Sequence, residues 1–377
     1  MKKVVIIGGG FAGLSAAKRL LRGKEQLEVI VIDKQPASSF LPLLPDTLGR
    51  GIDPENLACP IATYARRYRF RFVQENVSSI DLEKKEVITV SQRLAFDYLV
   101  IASGSETNFY ANQEIQKRAF TLDSAADSIK LTGSLARNEY ETYLICGGGY
   151  TGIEIATSLR RWLDAKNKAN RVVVVERAPA ILGPLPQWMR QYVMDNLKRL
   201  RVEVICPATV EKIDDDAVAL SSGEVFRRAM FIWAAGVRGV DFTQHLAIKK
   251  NPQGRILVDD NLMFRDACFV AGDAAAFSYQ NNALRMAVQF AITQGQAAAD
   301  NILNLIHGRP LKKYRPVDLG YIIPMANNQS CGIVLGVKVK GLAATMLHFL
   351  MCVFRSYGLR NRWGIIKALI GKGKNSK

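Results

Sequence analysis

Residues 4–13 read VVIIGGGFAG. A run of Val and Ile ends in three glycines, and apolar residues at helical spacing follow over 11–21, with Lys18, Arg19 and Arg22 on the solvated side. An apolar run that passes straight into glycines reads as a buried first strand. A signal peptide would need a longer hydrophobic stretch and a small-residue cleavage site. Gly8, Gly10 and Gly13 stand in G-x-G-x-x-G spacing. Gly8 permits a tight turn and Gly10 lets the backbone approach a pyrophosphate. Gly13 lets the helix pack on the strand, and the helix N-terminus faces the phosphate charge. The second strand, LEVIVIDK (27–34), ends in Asp33, 20 residues past Gly13 and placed to bond ribose hydroxyls. A bare glycine turn would not bring strand, helix and acid together in this order.

Outward from this unit, the pattern returns 139 residues later as YLICGGG (143–149), YTGIEIATSLRRWL (150–163) and RVVVVER (171–177). Gly147, Gly149 and Gly152 repeat the glycines, and Glu176 repeats the acid. A carboxylate there accepts from both ribose hydroxyls and repels a 2′-phosphate, which favours NADH; Arg177 beside it keeps NADPH open. The competing reading is a degenerate repeat that binds nothing. Two intact units predict two nucleotides, or one dinucleotide cofactor and one dinucleotide substrate. Between them, FDYLVIASGSETNF (96–109) is a strand running into a Ser-Gly turn, and MFIWAAGVRG (230–239) is its counterpart after the second unit. In DACFVAGDAAAF (266–277), Gly272 and Asp273 end a strand; the acid either caps the next element or bonds a sugar-like chain. A helix is expected from about Arg285 to Leu305. Seams are expected near 112–140 and 240–256.

The chain has 377 residues, 49% hydrophobic and 23% charged, enough to bury real cores and to exclude a disordered chain. No run of about 18 uncharged apolar residues offers a spanning helix. Six cysteines are scattered without a CxxC pair, which disfavours zinc ribbons and a local dithiol and suits a reducing compartment. His245, His307 and His348 show no ligand spacing, and no metal is expected. Of the net charge of +17, residues 309–377 carry +12: thirteen Lys/Arg against one acid, Asp318. Residues 342–354 contain only Thr345 and His348 as polar residues, too few residues to cross a bilayer. Leu359, Trp363, Ile366 and Ile370 then mark one helix face, flanked by Arg360, Arg362 and Lys367 and followed by Lys372, Lys374 and Lys377. A basic amphipathic helix with Trp predicts an interfacial membrane anchor; the alternative is a core helix with a solvated basic side. Nucleic acid is not expected, because the basic charge is interleaved with a greasy helix rather than with stacking aromatics.

The ordered set GGGFAG, Asp33, FDYLVIASG, GGGYTG, Glu176, WAAG and AGD resembles the two-dinucleotide-fold FAD/NAD(P)H oxidoreductases over nearly the whole chain. More narrowly, FLPLLPDTLGRGIDPENLACPI (40–61), GSETNFY (104–110), IWAAGV (232–237) and AVQFAITQG (287–295) resemble segments of type II NADH:quinone oxidoreductases. The resemblance implies an α/β fold of two Rossmann-like domains, the second inserted in the first, with a small C-terminal membrane-anchoring region. Its domains would be 1–112 with 256–311 for FAD, 113–255 for NADH, and 312–377 on the acceptor side. It implies that Gly8, Gly10, Gly13, Asp33, Val77, Ser103, Gly104, Gly272 and Asp273 hold FAD. Gly147, Gly149, Gly152, Glu176, Ala235 and Gly236 would hold NADH as substrate. Glu154 would sit near the flavin–nicotinamide stack, and Gln289 and Gln294 would line the quinone side. The chain departs from the family at Val288, where an Ala is usual, at Thr293, where Gln is frequent, and in IIPMANNQSCG (322–332). The implied activity is a non-pumping NADH dehydrogenase on the cytoplasmic face of a membrane, reducing a membrane quinone, with a homodimer left open. A sulfide:quinone oxidoreductase, which needs two cysteines at the flavin, and a reductase of a protein electron carrier are the alternatives.

Overall fold

The computed structural model describes residues 1–23, 25–137, 140–214 and 217–371; Lys372, Lys374 and Lys377 of the expected basic tail lie outside them. Along the chain, β1 (Lys2–Ile7), α1 (Phe11–Leu20) and β2 (Leu27–Ile32) form the first βαβ unit. The one-turn helix α2 (Asp46–Gly49), β3 (Arg71–Val73) and β4 (Tyr98–Ile101) follow. The second unit is β5 (Thr142–Cys146), α3 (Tyr150–Ala165) and β6 (Arg171–Val175), extended by β7 (Val202–Ile205) and β8 (Ala229–Trp233). Then come β9 (Met263–Arg265), β10 (Cys268–Val270) and the long α4 (Val288–Ile306). The chain ends in β11 (Gly320–Ile323), β12 (Ser330–Val334), β13 (Val337–Lys340), α5 (Gly341–Arg355) and α6 (Gly358–Ile370).

Val4, Val5 and Ile6 are fully buried, as uninterrupted Val/Ile runs are in strands covered on both faces. β1 pairs in parallel with β2, Ile6 opposite Val31, and with β4, Ile6 opposite Val100. The sheet order is β9-β10-β4-β1-β2-β3, with only β9 antiparallel. The second sheet, β7-β6-β5-β8, is wholly parallel, with Ile145 opposite both Val174 and Ile232. The sequence repeat is therefore a repeat of neighbours: β5 lies between β6 and β8 as β1 lies between β2 and β4.

The chain forms two compact units: Met1–Ser38, Cys59–Glu106 and Val237–Asp318 in the first, and Ser39–Ala58, Thr107–Gly236 and Leu319–Lys377 in the second. The boundaries differ from those expected at 112, 255 and 311. Residues 39–58 join the second βαβ unit because α2 packs on α3 so closely that a Cβ on Gly49 would lie 2.7 Å from the Ser158 carbonyl oxygen. The C-terminal region joins it as well. Ile365 of α6 is fully buried, and Asn361 donates to the Ala58 carbonyl at 2.9 Å. The third segment of the first unit closes it through α4, where a Cβ on Gly295 would lie 2.1 Å from the Ala12 carbonyl oxygen of α1.

Among the described residues no helix is long and apolar enough to cross a membrane. Leu342, Met346, Leu350 and Phe354 recur every four residues on the exposed side of α5, while Ala344, Thr345, Phe349 and Cys352 face inward. On α6, Leu359, Trp363 and Ile370 are exposed and Ile366 is half-buried.

Candidate functional site

The turn from β1 into α1 is built around glycine. Gly8 has φ +107°, and a Cβ there would lie 2.2 Å from the Ala102 carbonyl oxygen at the end of β4. At Gly10, the N-cap of α1, a Cβ would meet nothing within 4 Å. The turn is thus closed on its protein side and open where backbone amides face outward, the shape that receives a phosphate. The Asp33 carboxylate braces it, accepting from Gly9 N at 2.6 Å and from Gln35 N at 2.7 Å. Gly8, Asp33, Glu75, Asn76, Val77 and Ser103 line one cavity with Val240 and Phe242. The Ser103 hydroxyl oxygen is buried there with no hydrogen-bond partner in the structure. Such a group costs stability unless a ligand or water completes it. Gly104 has φ +71° beside it.

The second turn repeats this atom for atom in kind. Gly147 has φ +121° and presses on the Ala234 carbonyl, and Gly149 has open space where a Cβ would stand. The Glu176 carboxylate accepts from Gly148 N and from Ala178 N, each at 2.7 Å. The adjoining strand end is held by the Trp233 indole, which donates to the Asn108 carbonyl at 2.9 Å, and by the Tyr110 hydroxyl, which donates to Ala235 O at 2.9 Å. Gly236 follows with φ +119°. A second unit that had lost its ligand would have no reason to keep both the open glycine and the braced acid.

Gly272 and Asp273 lie in a one-turn 3-10 helix with no side-chain cap, so the acid is not a helix-capping residue. Burial pushes the Asp273 carboxyl above its ordinary value, opposed by Arg255. The Gly272 amide donates to Gln294 Oε1 at 2.7 Å, in a buried setting. Gln294 is thereby engaged in holding the Gly-Asp turn. Gln289, one turn earlier on α4, instead donates from Nε2 to the Asp318 carboxylate at 3.1 Å. The two glutamines share a helix but have different partners. Val288 begins α4, and Thr293 hydrogen-bonds with Tyr314, 2.7 Å between hydroxyl oxygens.

Glu154 lies on the face of α3 that packs against α2, where sequence reading had named no companion. Burial and the nearby Asp46 charge hold it well above the usual carboxylate range. Asp46 accepts from Arg50 Nε at 2.9 Å, and burial pushes its carboxyl up to about 6 against the pull of Arg50. Arg50 also donates to Asn328 Oδ1 at 2.8 Å, and its guanidinium sits 4.7 Å from the Phe349 ring centroid. His348 of α5 is pushed down to about 4 by burial and by Arg50, and its Nε2 lies 3.5 Å from Cys352 Sγ. Three helices of the second unit therefore converge on a buried acid pair, with Arg50 bonded to Asp46 and the Arg161 charge also opposing the rise of its pKa. The sequence signal was present in FLPLLPDTLGR: an acid and a base at i, i+4 inside an apolar stretch have little reason to be there unless they pair. Because the folded pKa of Asp46 lies above its unfolded value, its contribution to stability is full below about 3.8 and is lost as pH rises through about 6. Asp46→Asn, a mimic of the protonated form, is expected to flatten that part of the melting-temperature profile between pH 4 and 7. An unchanged profile would mean Asp46 stays ionised throughout.

None of the six cysteines is in a disulfide. Burial pushes the thiols of Cys146 and Cys331 up to about 12 and that of Cys268 up to about 11, and raises those of Cys59 and Cys352. Such thiols are poor nucleophiles at neutral pH.

Residues 2–299 match the family model described as pyridine nucleotide-disulphide oxidoreductase. The chain belongs to the pyridine nucleotide-disulphide oxidoreductase family. Within reach of this family, it is 26% identical to a type II NADH:quinone oxidoreductase of Staphylococcus saprophyticus, over 92% of this chain and 93% of that protein. Its fold matches that of NDH2 from Plasmodium falciparum in complex with NADH, with a TM-score of 0.87 and 14% identity, over 100% of this chain and 99% of the other. It also matches the sulfide:quinone oxidoreductase of Aquifex aeolicus, with a TM-score of 0.79 and 20% identity, over 97% and 93% of the two chains. These structural likenesses share the pyridine nucleotide-disulphide oxidoreductase fold and do not separate the activities.

Proposed function

We propose that the protein is an FAD-dependent NADH:quinone oxidoreductase that works at a membrane surface without pumping protons. The observation that carries this reading is the doubled turn: an open glycine cradle braced by a carboxylate at Asp33 and again at Glu176, one in each unit. One cradle serves a resident dinucleotide and the other a dinucleotide substrate. The name of the staphylococcal relative supplies the substrate pair.

The first unit fits FAD. Gly10 leaves room for the pyrophosphate, Asp33 faces the ribose, and the unpartnered Ser103 hydroxyl and Val77 line the cavity beside it. Gly8, Gly13 and Gly104 shape the backbone there, and Gly272 and Asp273 complete the set at the end of β10. When bound, FAD supplies the two-electron redox chemistry between hydride donor and acceptor. The second unit takes NADH on Gly147, Gly149 and Gly152. Glu176 accepts from the ribose hydroxyls, and Ala235 and Gly236 border the nucleotide. Burial and the nearby Asp46 charge raise the Glu154 carboxyl well above its ordinary range, which favours the protonated form and suits this residue to hold a proton for transfer. Gln289 meets the quinone, while Gln294 fixes the Gly272 turn.

The exposed stripes of α5 and α6, with Arg360, Arg362 and Lys367 beside them, dock the protein on the anionic cytoplasmic face of a membrane, where the quinone resides. A sulfide:quinone oxidoreductase is disfavoured by the intact second cradle. A reductase of a soluble carrier leaves the apolar stripe without a purpose.

Glu176→Ala is expected to lower kcat/KM for NADH by about tenfold and to narrow the NADH/NADPH ratio, because the carboxylate that repels a 2′-phosphate is gone. A native preference for NADPH would give the selectivity to Arg177. The experiment that tests the function is NADH oxidation by the purified yellow protein with quinone, sulfide and ferredoxin compared side by side. Rapid turnover with NADH and quinone is expected, and sulfide-driven quinone reduction would overturn the assignment.

A further inference from the structure

α4 is bordered by the segment that follows it. Residues 312–318 run back along the helix and are pinned to three successive places. Asn301 exchanges two hydrogen bonds with the Lys312 backbone, Oδ1 accepting from N at 2.8 Å and Nδ2 donating to O at 3.0 Å. The buried Tyr314 brings its hydroxyl to 2.7 Å from that of Thr293. Asp318 then closes on the start of the helix. Its carboxylate accepts from Arg285 through both oxygens, with Nη2 to Oδ1 at 2.7 Å, and from Gln289 Nε2 at 3.1 Å. Asp318 is the one acid in residues 309–377, against thirteen Lys/Arg.

The chemistry of this contact is directional. A carboxylate can only accept, so it decides which way the Gln289 amide faces: Nε2 toward Asp318 and Oε1 away from it. Gln289 is buried, so its amide cannot turn over in water at no cost. Arg285 holds the carboxylate in a two-pronged pair and offsets its charge, with its guanidinium 5.1 Å from the Phe290 ring centroid. The amide is therefore oriented without leaving an unbalanced negative charge beside it. Thr293, one turn further along the helix, anchors the strap through Tyr314.

We propose that Asp318, locked by Arg285, is a positioning residue that sets the amide of Gln289 in the one orientation in which it meets the electron acceptor. The proposal rests on the reading that Gln289 contacts the quinone.

The test is a double-mutant cycle on the holoenzyme, with Q289A, D318A and the double variant. The readout is anaerobic reoxidation of the NADH-reduced flavin by a short-chain ubiquinone. Q289A and D318A are each expected to slow reoxidation by about tenfold, and the double variant to be no slower than Q289A, since Asp318 acts only through Gln289. Reduction by NADH should stay within about twofold of wild type in all three. D318N keeps one acceptor oxygen and should lose less than D318A; it also carries the cycle should D318A fail to retain flavin. Losses that multiply in the double variant would overturn the proposal, as would wild-type reoxidation of D318A beside a slow Q289A. Wild-type reoxidation of Q289A would instead remove the reading of Gln289, and the proposal with it.

Discussion

A Gly149→Val enzyme is expected to fold, to keep its flavin and to lose reduction by NADH by at least about a hundredfold in kcat/KM. The expectation follows from an asymmetry among the glycines of the second turn. At Gly152 a Cβ would lie 1.8 Å from the Gly147 carbonyl oxygen, so any side chain there breaks the contact of α3 with its own turn. At Gly149 a Cβ would meet no protein atom within 4 Å. A valine at 149 therefore costs the fold little and fills the space through which the pyrophosphate approaches the amides at the helix N-terminus. Gly152→Val should instead melt early or fail to express. The check is anaerobic bleaching of the flavin by NADH, with dithionite as a reductant that needs no nucleotide site. Normal bleaching of Gly149→Val by NADH would mean that the nucleotide does not bind over this turn.

The second large effect concerns the membrane. Leu350 and Phe354 are 66% and 70% exposed on the outer side of α5. Replacing both with Glu removes no buried contact, so the melting temperature should hold, yet the protein should move from the membrane fraction to the soluble one. Burying each apolar side chain stabilises by about 1.5–3 kcal/mol, and each basic residue near anionic lipid adds on the order of 1 kcal/mol. Neither contribution alone gives firm attachment. High salt should weaken only the electrostatic part. Activity with a long-tailed quinone should fall and activity with a water-soluble quinone should be spared. Deletion of everything after Phe354 is a less clean test, because it also removes the fully buried Ile365 and the hydrogen bond from Asn361 to Ala58. If the doubly substituted protein still sediments with membranes, the anchor lies elsewhere.

Much of this was legible in the sequence because it is local. The strand–glycine–helix–strand order fixes both βαβ units, and the acids that end β2 and β6 bond back to the glycine amides only 24 and 28 residues away. What escaped is non-local. No periodicity shows that residues 39–58 leave the first unit for the second. That follows from Gly49 lying on the backbone of Ser158, a contact across more than a hundred residues. The acid pair Asp46 and Glu154 is hidden for the same reason, as is the meeting of Asp318 with Gln289. Gln294 shows the limit of motif reading in the other direction. The spacing of AVQFAITQG places it beside Gln289, and only the coordinates reveal that its carbonyl is engaged by the Gly272 amide. The apolar stripe of α6 is legible in its spacing, with Ile366 less exposed than Leu359, Trp363 and Ile370.

The central claim is that electrons pass from NADH to a flavin held by this chain and from that flavin to quinone. It is tested most directly by anaerobic stopped-flow spectroscopy at the flavin absorbance band. Mixing the oxidised holoenzyme with NADH should bleach the band within one turnover, and a second mixing with a short-chain ubiquinone should restore it at least as fast as steady-state turnover. A band that NADH bleaches and quinone fails to restore, or that NADH does not bleach at all, would contradict the account.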